Sequence, residues 1–306
     1  MVAALVLPLS VFTVSLAVAD PDPTPDDLQK LYTDGSYKEL VPKLNKVLLL
    51  KGPDAAQYKK YDLLMMKGDA CLHLHSKSEA MDAYKKAALA TDQPDSAAAA
   101  TATAELVRQS GGNLTYLRKT KTDKQDKPQP IDIIEPESRK LAMSALETDL
   151  AAKAKPKVEQ AVKSDSLAAI AQECADKDLV NLKPIEQAAN GSNVDTREML
   201  TDLGTRATTL MDAQIDALAK QLDSEVTAVN NRIHPKAGPE GTTITVSQFR
   251  QDVNAIDQSA TQLQGIAKNL VPLLGDAADM KTEAEKCGAL HDAAVKLLAE
   301  AKKAGW

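Results

Sequence analysis

The sequence predicts an all-α protein: short helical hairpins in the N-terminal third, then a C-terminal antiparallel bundle with long, coiled-coil-like helices. Three observations carry this expectation. Val246, Phe249, Val253, Ile256, Ala260, Leu263, Ala267, Leu270 and Leu274 recur at alternating steps of three and four, the seam of a helix that must bury one stripe. Between Leu64 and Ala87, small and apolar residues step by four and three on two successive faces. Aromatic residues make up only 3% of the chain's 306 positions, so an Ala-rich core suits closely packed helices better than a deep ligand pocket.

Residues 1–19 are apolar and end in Ala17-Val18-Ala19 ahead of Asp20. A small-x-small site after an apolar run reads as a secretory signal peptide, although no Lys or Arg precedes it. Pro8 interrupts the run, which is short for a bilayer span, and no later stretch offers a span. The expected location is secreted or periplasmic, in the cell envelope. Residues 20–27 hold three prolines and four aspartates and read as an acidic, flexible leader.

A helical repeat domain is expected over 28–112. Leu64, Gly68 and Cys71 share a face of one helix, and Ala80, Tyr84 and Ala87 share a face of the next. Gly68 and Ala80 allow the helices to approach, and Tyr84 fills the gap between them. Ser76 with Glu79 has the spacing of a capping box. This stretch resembles a tetratricopeptide repeat. Forty residues upstream, Leu28, Leu31, Leu40, Leu44 and Val47 repeat the spacing with larger side chains. Pro42 would cost about 3 kcal/mol in a helix beginning near Ser36, less if the helix starts nearer Glu39. Asp95 is expected to cap an Ala-rich third element through Gln109, stopped by Gly111-Gly112.

Residues 113–135 change character. The run from Arg118 to Pro130 is basic, polar and Pro-containing, a linker by composition. Ile131, Ile133 and Ile134 are expected to dock as an extended piece. From 136 to 306 the pattern is helical again. Pro136 opens a helix in the first-turn position, Pro156 divides it from the next, and Pro184 starts another, which ends at Asn190-Gly191. Leu167, Ile170, Ala171 and Cys174 share a face between the last two. Three long helices follow. Asp195 is expected to cap the first, whose stripe is Met211, Ile215, Leu218, Leu222, Val229 and Ile233. His234-Pro235 and Gly238-Pro239 break it, and Thr242–Val246 leads into the second. Pro272 is expected to kink or fray the second helix before a turn at Gly275-Asp276. The third carries Met280, Ala284, Cys287, His291, Ala294, Leu298 and Ala301. Apolar seams joined by short turns imply antiparallel neighbours.

The net charge of −6, with Lys and Arg spread throughout, argues against a nucleic-acid binder. The chain has no GxSxG, HExxH, CxxC or glycine-rich phosphate loop, and its four histidines form no triad-like arrangement. An enzyme is therefore not expected and no cofactor is called for; an unfamiliar carboxylate-only enzyme, which leaves no short motif, is a distant third reading. Cys71 with His75 and Cys287 with His291 are each four apart, and two such pairs on helix faces would supply a Cys2His2 metal set. Against this, the cysteines read equally as small buried hydrophobes, so no metal is assigned. Three cysteines leave at least one unpaired, with Cys71–Cys287 and Cys174–Cys287 both open as disulfides. Asn113-Leu114-Thr115 and Asn190-Gly191-Ser192 are sequons.

The resemblance implies a concave stripe that receives an extended peptide: Asp62, Met65, Asp69, Leu72 and His73. Its mix of apolar and acidic groups suits a basic or mixed peptide. The leading expectation is an exported scaffold or adaptor that binds a protein or peptide partner. The alternative is a structural homo-oligomer whose heptad seams pair between chains.

Overall fold

A computed structural model describes residues 22–118, 129–189, 193–233, 245–274 and 279–305. The signal-peptide segment, most of the basic run, and the turns expected at Asn190-Gly191-Ser192, His234–Pro239, Thr242–Ile244 and Gly275-Asp276 lie outside the described residues. Within them the chain is all-α, with eleven helices and one two-stranded sheet. Among the described residues, no helix is long and apolar enough to cross a membrane.

Five helices form a head: α1 (Pro25–Thr33), α2 (Tyr37–Leu48), α3 (Lys60–His73), α4 (Lys77–Ala88) and α5 (Pro94–Gln109). The expected leader is partly helix. Thr24 and Asp27 form a reciprocal capping box at the start of α1, the Tyr58 hydroxyl donates to the Pro23 carbonyl at 2.7 Å, and Lys46 pairs with Asp22. The bounds of α2 and α4 stand at an exact offset of forty. So do the left-handed residues that precede them, Gly35 and His75. In both hairpins the next amide closes back over the helix end, Ser36 N–H to Leu31 and Ser76 N–H to Cys71. Gly111-Gly112 end α5 the same way, through Gly112 N–H to Val107.

Two expected caps are corrected. Ser76 makes no side-chain cap; Glu79 instead accepts from the Cys71 thiol at 3.6 Å. Pro94 opens α5 with no side-chain cap, so Asp95 sits in the first turn. There its charge favours the helix dipole.

After α5, β1 (Thr115–Leu117) pairs antiparallel with β2 (Pro130–Asp132), matching Tyr116 to Ile131. The flanks of the expected linker are thus a hairpin, and it buries Tyr116, Ile131 and Ile133. Next come α6 (Pro136–Val162), α7 (Leu167–Cys174), α8 (Lys177–Ala188), α9 (Val194–Ile233), α10 (Val246–Leu274) and α11 (Met280–Lys303).

Prolines cut fewer helices than expected. Pro42, Pro156, Pro184 and Pro272 all lie inside helices. Each leaves the carbonyl four residues earlier without its amide partner. Those carbonyls belong to Lys38, Ala152, Val180 and Lys268, all exposed residues, so water can take the place of the missing amide. At α9 the amide of Thr196 is held by Asn193 rather than by Asp195.

At about 1.5 Å per residue, the 40 residues of α9 span roughly 60 Å. Leu222 and Val229 of α9 cluster with Phe249, Val253 and Ile256 of α10 and with Ala294, Leu297 and Ala301 of α11, so α10 runs antiparallel to both neighbours. From Phe249 to Leu274 the seam positions are buried. A second, continuous core runs from Cys71 and Tyr84 in the head through α6 and α8 to Leu263 and Cys287 in the bundle. Head and bundle therefore share packed side chains.

Candidate functional site

Asp69, on the third turn of α3, is the convergence point of the head. Its Oδ1 accepts from the Tyr84 hydroxyl of α4 at 2.5 Å and from Arg139 Nη2 of α6 at 2.7 Å. The Tyr32 hydroxyl of α1 reaches Oδ2 at 3.0 Å. Arg139 also donates to the carbonyls of Ile133 and Ile134. Burial, reinforced by the Asp69 charge, drives the Tyr84 phenol well above its ordinary value, so it stays a neutral donor. Burial works against the Arg139 charge, yet Asp69 outweighs it and the guanidinium is held protonated.

This node changes the expected peptide stripe. Asp62 is exposed and Met65 half-buried, but Asp69 is 7% exposed and Leu72 fully buried. His73 stacks on Tyr37 at 4.2 Å between ring centroids, and its burial lowers its pKa. The five residues do lie on α3, but Arg139, near the start of α6, reaches Asp69 among them. Asp69 is thus neutralised from within the chain, and Asp62 is the acid of the stripe that stays open to solvent. Nothing in the periodicity of α3 signals a partner seventy residues downstream.

The metal pairs separate as well. Cys71 is buried while His75, past the end of α3, has φ 59° and is exposed, so the two do not share a helix face. Cys287 and His291 both lie on α11, but Cys287 is buried and His291 pairs with Asp257 of α10. All three cysteines are free and buried. Burial pushes the Cys71 and Cys287 thiols up to about 11 and that of Cys174 to about 12, which leaves them unreactive near neutrality. No group of three or more His, Cys, Asp or Glu side chains is arranged to hold a metal ion among the described residues. Of the two sequons, Asn113 is exposed and donates to the Ser110 carbonyl.

A larger opening lies where the head meets the bundle. A cleft of about 670 Å³ is bounded by α4, α5 and the α7–α8 turn. In its wall, Glu105 of α5 is 6% exposed and fully partnered. It accepts from Arg108 Nε and Nη2, Gln109 and, across the cleft, Asn181. That grip fixes the Arg108 guanidinium while leaving its side chain 46% exposed. Lys85 and Lys177 line the rim; of the two aspartates there, Asp178 lies 3.8 Å from Arg108 Nη2 and Asp176 pairs with Lys157 at 3.0 Å. Sequence reading passed over Glu105 and Arg108. The available signal was a lone acidic residue, three before a lone basic one, in an otherwise uncharged Ala-rich run (Ser96–Gln109).

No family model, curated protein or solved structure matches the chain.

Proposed function

We propose that the chain is an exported, non-enzymatic protein-interaction module, with tetratricopeptide-like hairpins as a head and α9–α11 as an extension. The repeat reading is supported by the offset of forty between the hairpins and by the contact at Gly68. A Cβ there would lie 2.6 Å from Cζ and 2.7 Å from Cδ1 of Tyr84. The observation that carries the interaction reading is the cleft between α5 and α8, in which Glu105 holds Arg108 while half of that side chain stays open to solvent. A fixed guanidinium loses little freedom on meeting a carboxylate. Lys85 and Lys177 add positive charge and Asp176 and Asp178 negative, so a peptide of mixed charge with acidic anchors fits the cleft. Of the stripe expected to take a basic or mixed peptide, Asp69 is already paired with Arg139, and Asp62 is the acid left exposed.

The test is co-purification from the native envelope fraction with wild type and with a Lys85→Glu, Lys177→Glu double variant. Both side chains are exposed, so the circular dichroism should be unchanged while recovery of a specific partner falls at least tenfold. Equal recovery would remove the cleft from the account. Self-association through the α10 seam has no observation in its favour, since that seam is buried against α9 and α11.

A further inference from the structure

The walls of the cleft at Glu105 repeat one pairing of side chains. On α4, Met81 and Lys85 share a face at i and i+4; on α8, Lys177 and Val180 share one at i and i+3. Each wall thus offers one apolar side chain beside one exposed lysine. Val180 is left 48% exposed. From α5, Ala104 and Arg108 complete the lining. Two of the three acids in the cleft are already engaged. Glu105 is taken by Arg108, Gln109 and Asn181, and Asp176 accepts from Lys157 and from the Asp178 amide. Asp178 is held loosely: its Oδ1 lies 3.8 Å from Arg108 Nη2, beyond hydrogen-bond reach.

Glu105 uses Nε and one Nη2 hydrogen of the Arg108 fork. That leaves the outer edge, Nη1 with the second Nη2 hydrogen, for a further carboxylate. Taking the cleft as the interaction site proposed above, we infer that it reads a segment in which acidic residues stand next to a large apolar one, and that Asp178 keeps the place of the acid until that segment arrives. The partner's carboxylate takes the outer edge of Arg108 at hydrogen-bond distance, where a charge-assisted pair is strongest. Its apolar neighbour packs against Met81 and Val180, and Lys85 and Lys177 draw the acids in. Asp178 is then a built-in competitor, which offsets the Arg108 charge without satisfying the hydrogens of that edge. A phosphate fits less well than a carboxylate: its second negative charge would stand beside Asp176, Asp178 and Glu105.

The probes are blocked peptides, N-acetyl-Gly-Asp-Leu-Asp-Gly-amide and its Asn-Leu-Asn, Asp-Ser-Asp and Lys-Leu-Lys counterparts. Each is titrated into the full chain and followed by methyl chemical shifts of Met81, Ala104 and Val180. Asp-Leu-Asp should bind at least about fivefold more tightly than any counterpart, the scale of burying part of one leucine or making one charge contact. Asp178→Asn should tighten it by about twofold to fivefold, as an exposed charge competitor is removed. Val180→Ser should weaken it by a similar factor through lost apolar contact. Both substitutions lie at partly or fully exposed positions, and unchanged circular dichroism checks their folding; if one variant fails to fold, the other and the peptide ranking decide. The inference is overturned if Asn-Leu-Asn, Asp-Ser-Asp or Lys-Leu-Lys binds as well as Asp-Leu-Asp, or if Asp178→Asn weakens binding. If that happens while Lys85→Glu, Lys177→Glu still loses the envelope partner, the cleft stands as an interaction site and only its ligand class falls. If the double variant keeps its partner, the reading beneath falls with it.

Discussion

Asp69 and Glu105 in the head, and Glu147, Glu225 and Glu283 in the bundle, are all carboxylates removed from water, yet the two regions treat them in opposite ways. Asp69 takes three donors and Glu105 four. In the bundle, neither oxygen of Glu147 has a partner, and one oxygen each of Glu225 and Glu283 is sealed without one. Low dielectric magnifies both cases: a saturated anion becomes an anchor, and an unsaturated one a standing penalty. The head should therefore be broken by removing donors, and the bundle strengthened by removing acids.

The largest effect should come from Arg139→Ala. It strands the Asp69 charge, whose side chain is 10% exposed. Losing one partner of a buried pair typically costs about 3–5 kcal/mol. Urea unfolding should show that loss, and the double variant with Asp69→Asn should lose less than the two single losses added together, since the two groups are coupled. A loss under about 1 kcal/mol would make the node a surface ion pair and erase the contrast.

Next is Gly68→Ala. Tyr84 cannot retreat from the new methyl, because it is fully buried and its hydroxyl is tied to Asp69. Overpacking of this kind costs about 1–3 kcal/mol. Thermal melting of this variant and of Gly265→Ala, a helical glycine with nothing within 4 Å of its Cβ position, separates the clash from propensity. Gly265→Ala should stabilise slightly.

In the bundle, Glu147→Met should be stabilising at pH 7 by about 1–3 kcal/mol, through removal of an unsatisfied buried group. Burial raises the Glu147 carboxyl, with Glu186 adding to the rise and Thr196 and Arg197 opposing it. For an acid, a folded pKa above the unfolded value means the native state prefers the protonated form. Wild type therefore loses stability as pH rises from about 4.5 towards the raised pKa, and the penalty is in place at pH 7. Most of the gain should vanish near pH 4, where wild-type Glu147 is protonated. Urea midpoints at the two pH values check this, and a gain of equal size at both would mean the carboxyl is already neutral at pH 7.

How much of this was legible differs along the chain. The α10 seam from Phe249 to Leu274 was readable because burial on a helix follows its period, and every seam position there is a buried one. The prolines misled because a proline's cost depends on which way the freed carbonyl faces, which spacing does not record. Asp69 misled for a related reason. Its place on a face of α3 follows from the sequence, but what lies across that face depends on Arg139, seventy residues away. Long-range ion pairs leave no local trace, so both the node and the Glu105–Asn181 contact required the fold.

The smallest effect tests whether the head, so well satisfied in its polar groups, stores strain in its backbone. At the left-handed position that ends each of α1, α3 and α5, the chain places Gly35, His75 and Gly111. Only His75 carries a Cβ there, and a left-handed L residue costs about 1–2 kcal/mol. The His75 ring is exposed and the stack on Tyr37 belongs to His73, so the imidazole has no visible packing to lose. His75→Gly should raise stability by about 0.5–1 kcal/mol, with part of the strain relief offset by glycine's greater freedom when unfolded. Gly35→Ala should lower it by a similar amount. Paired thermal melts would read both. If the two substitutions shift stability in the same direction, the hairpins do not share this closure energetically, whatever their common offset.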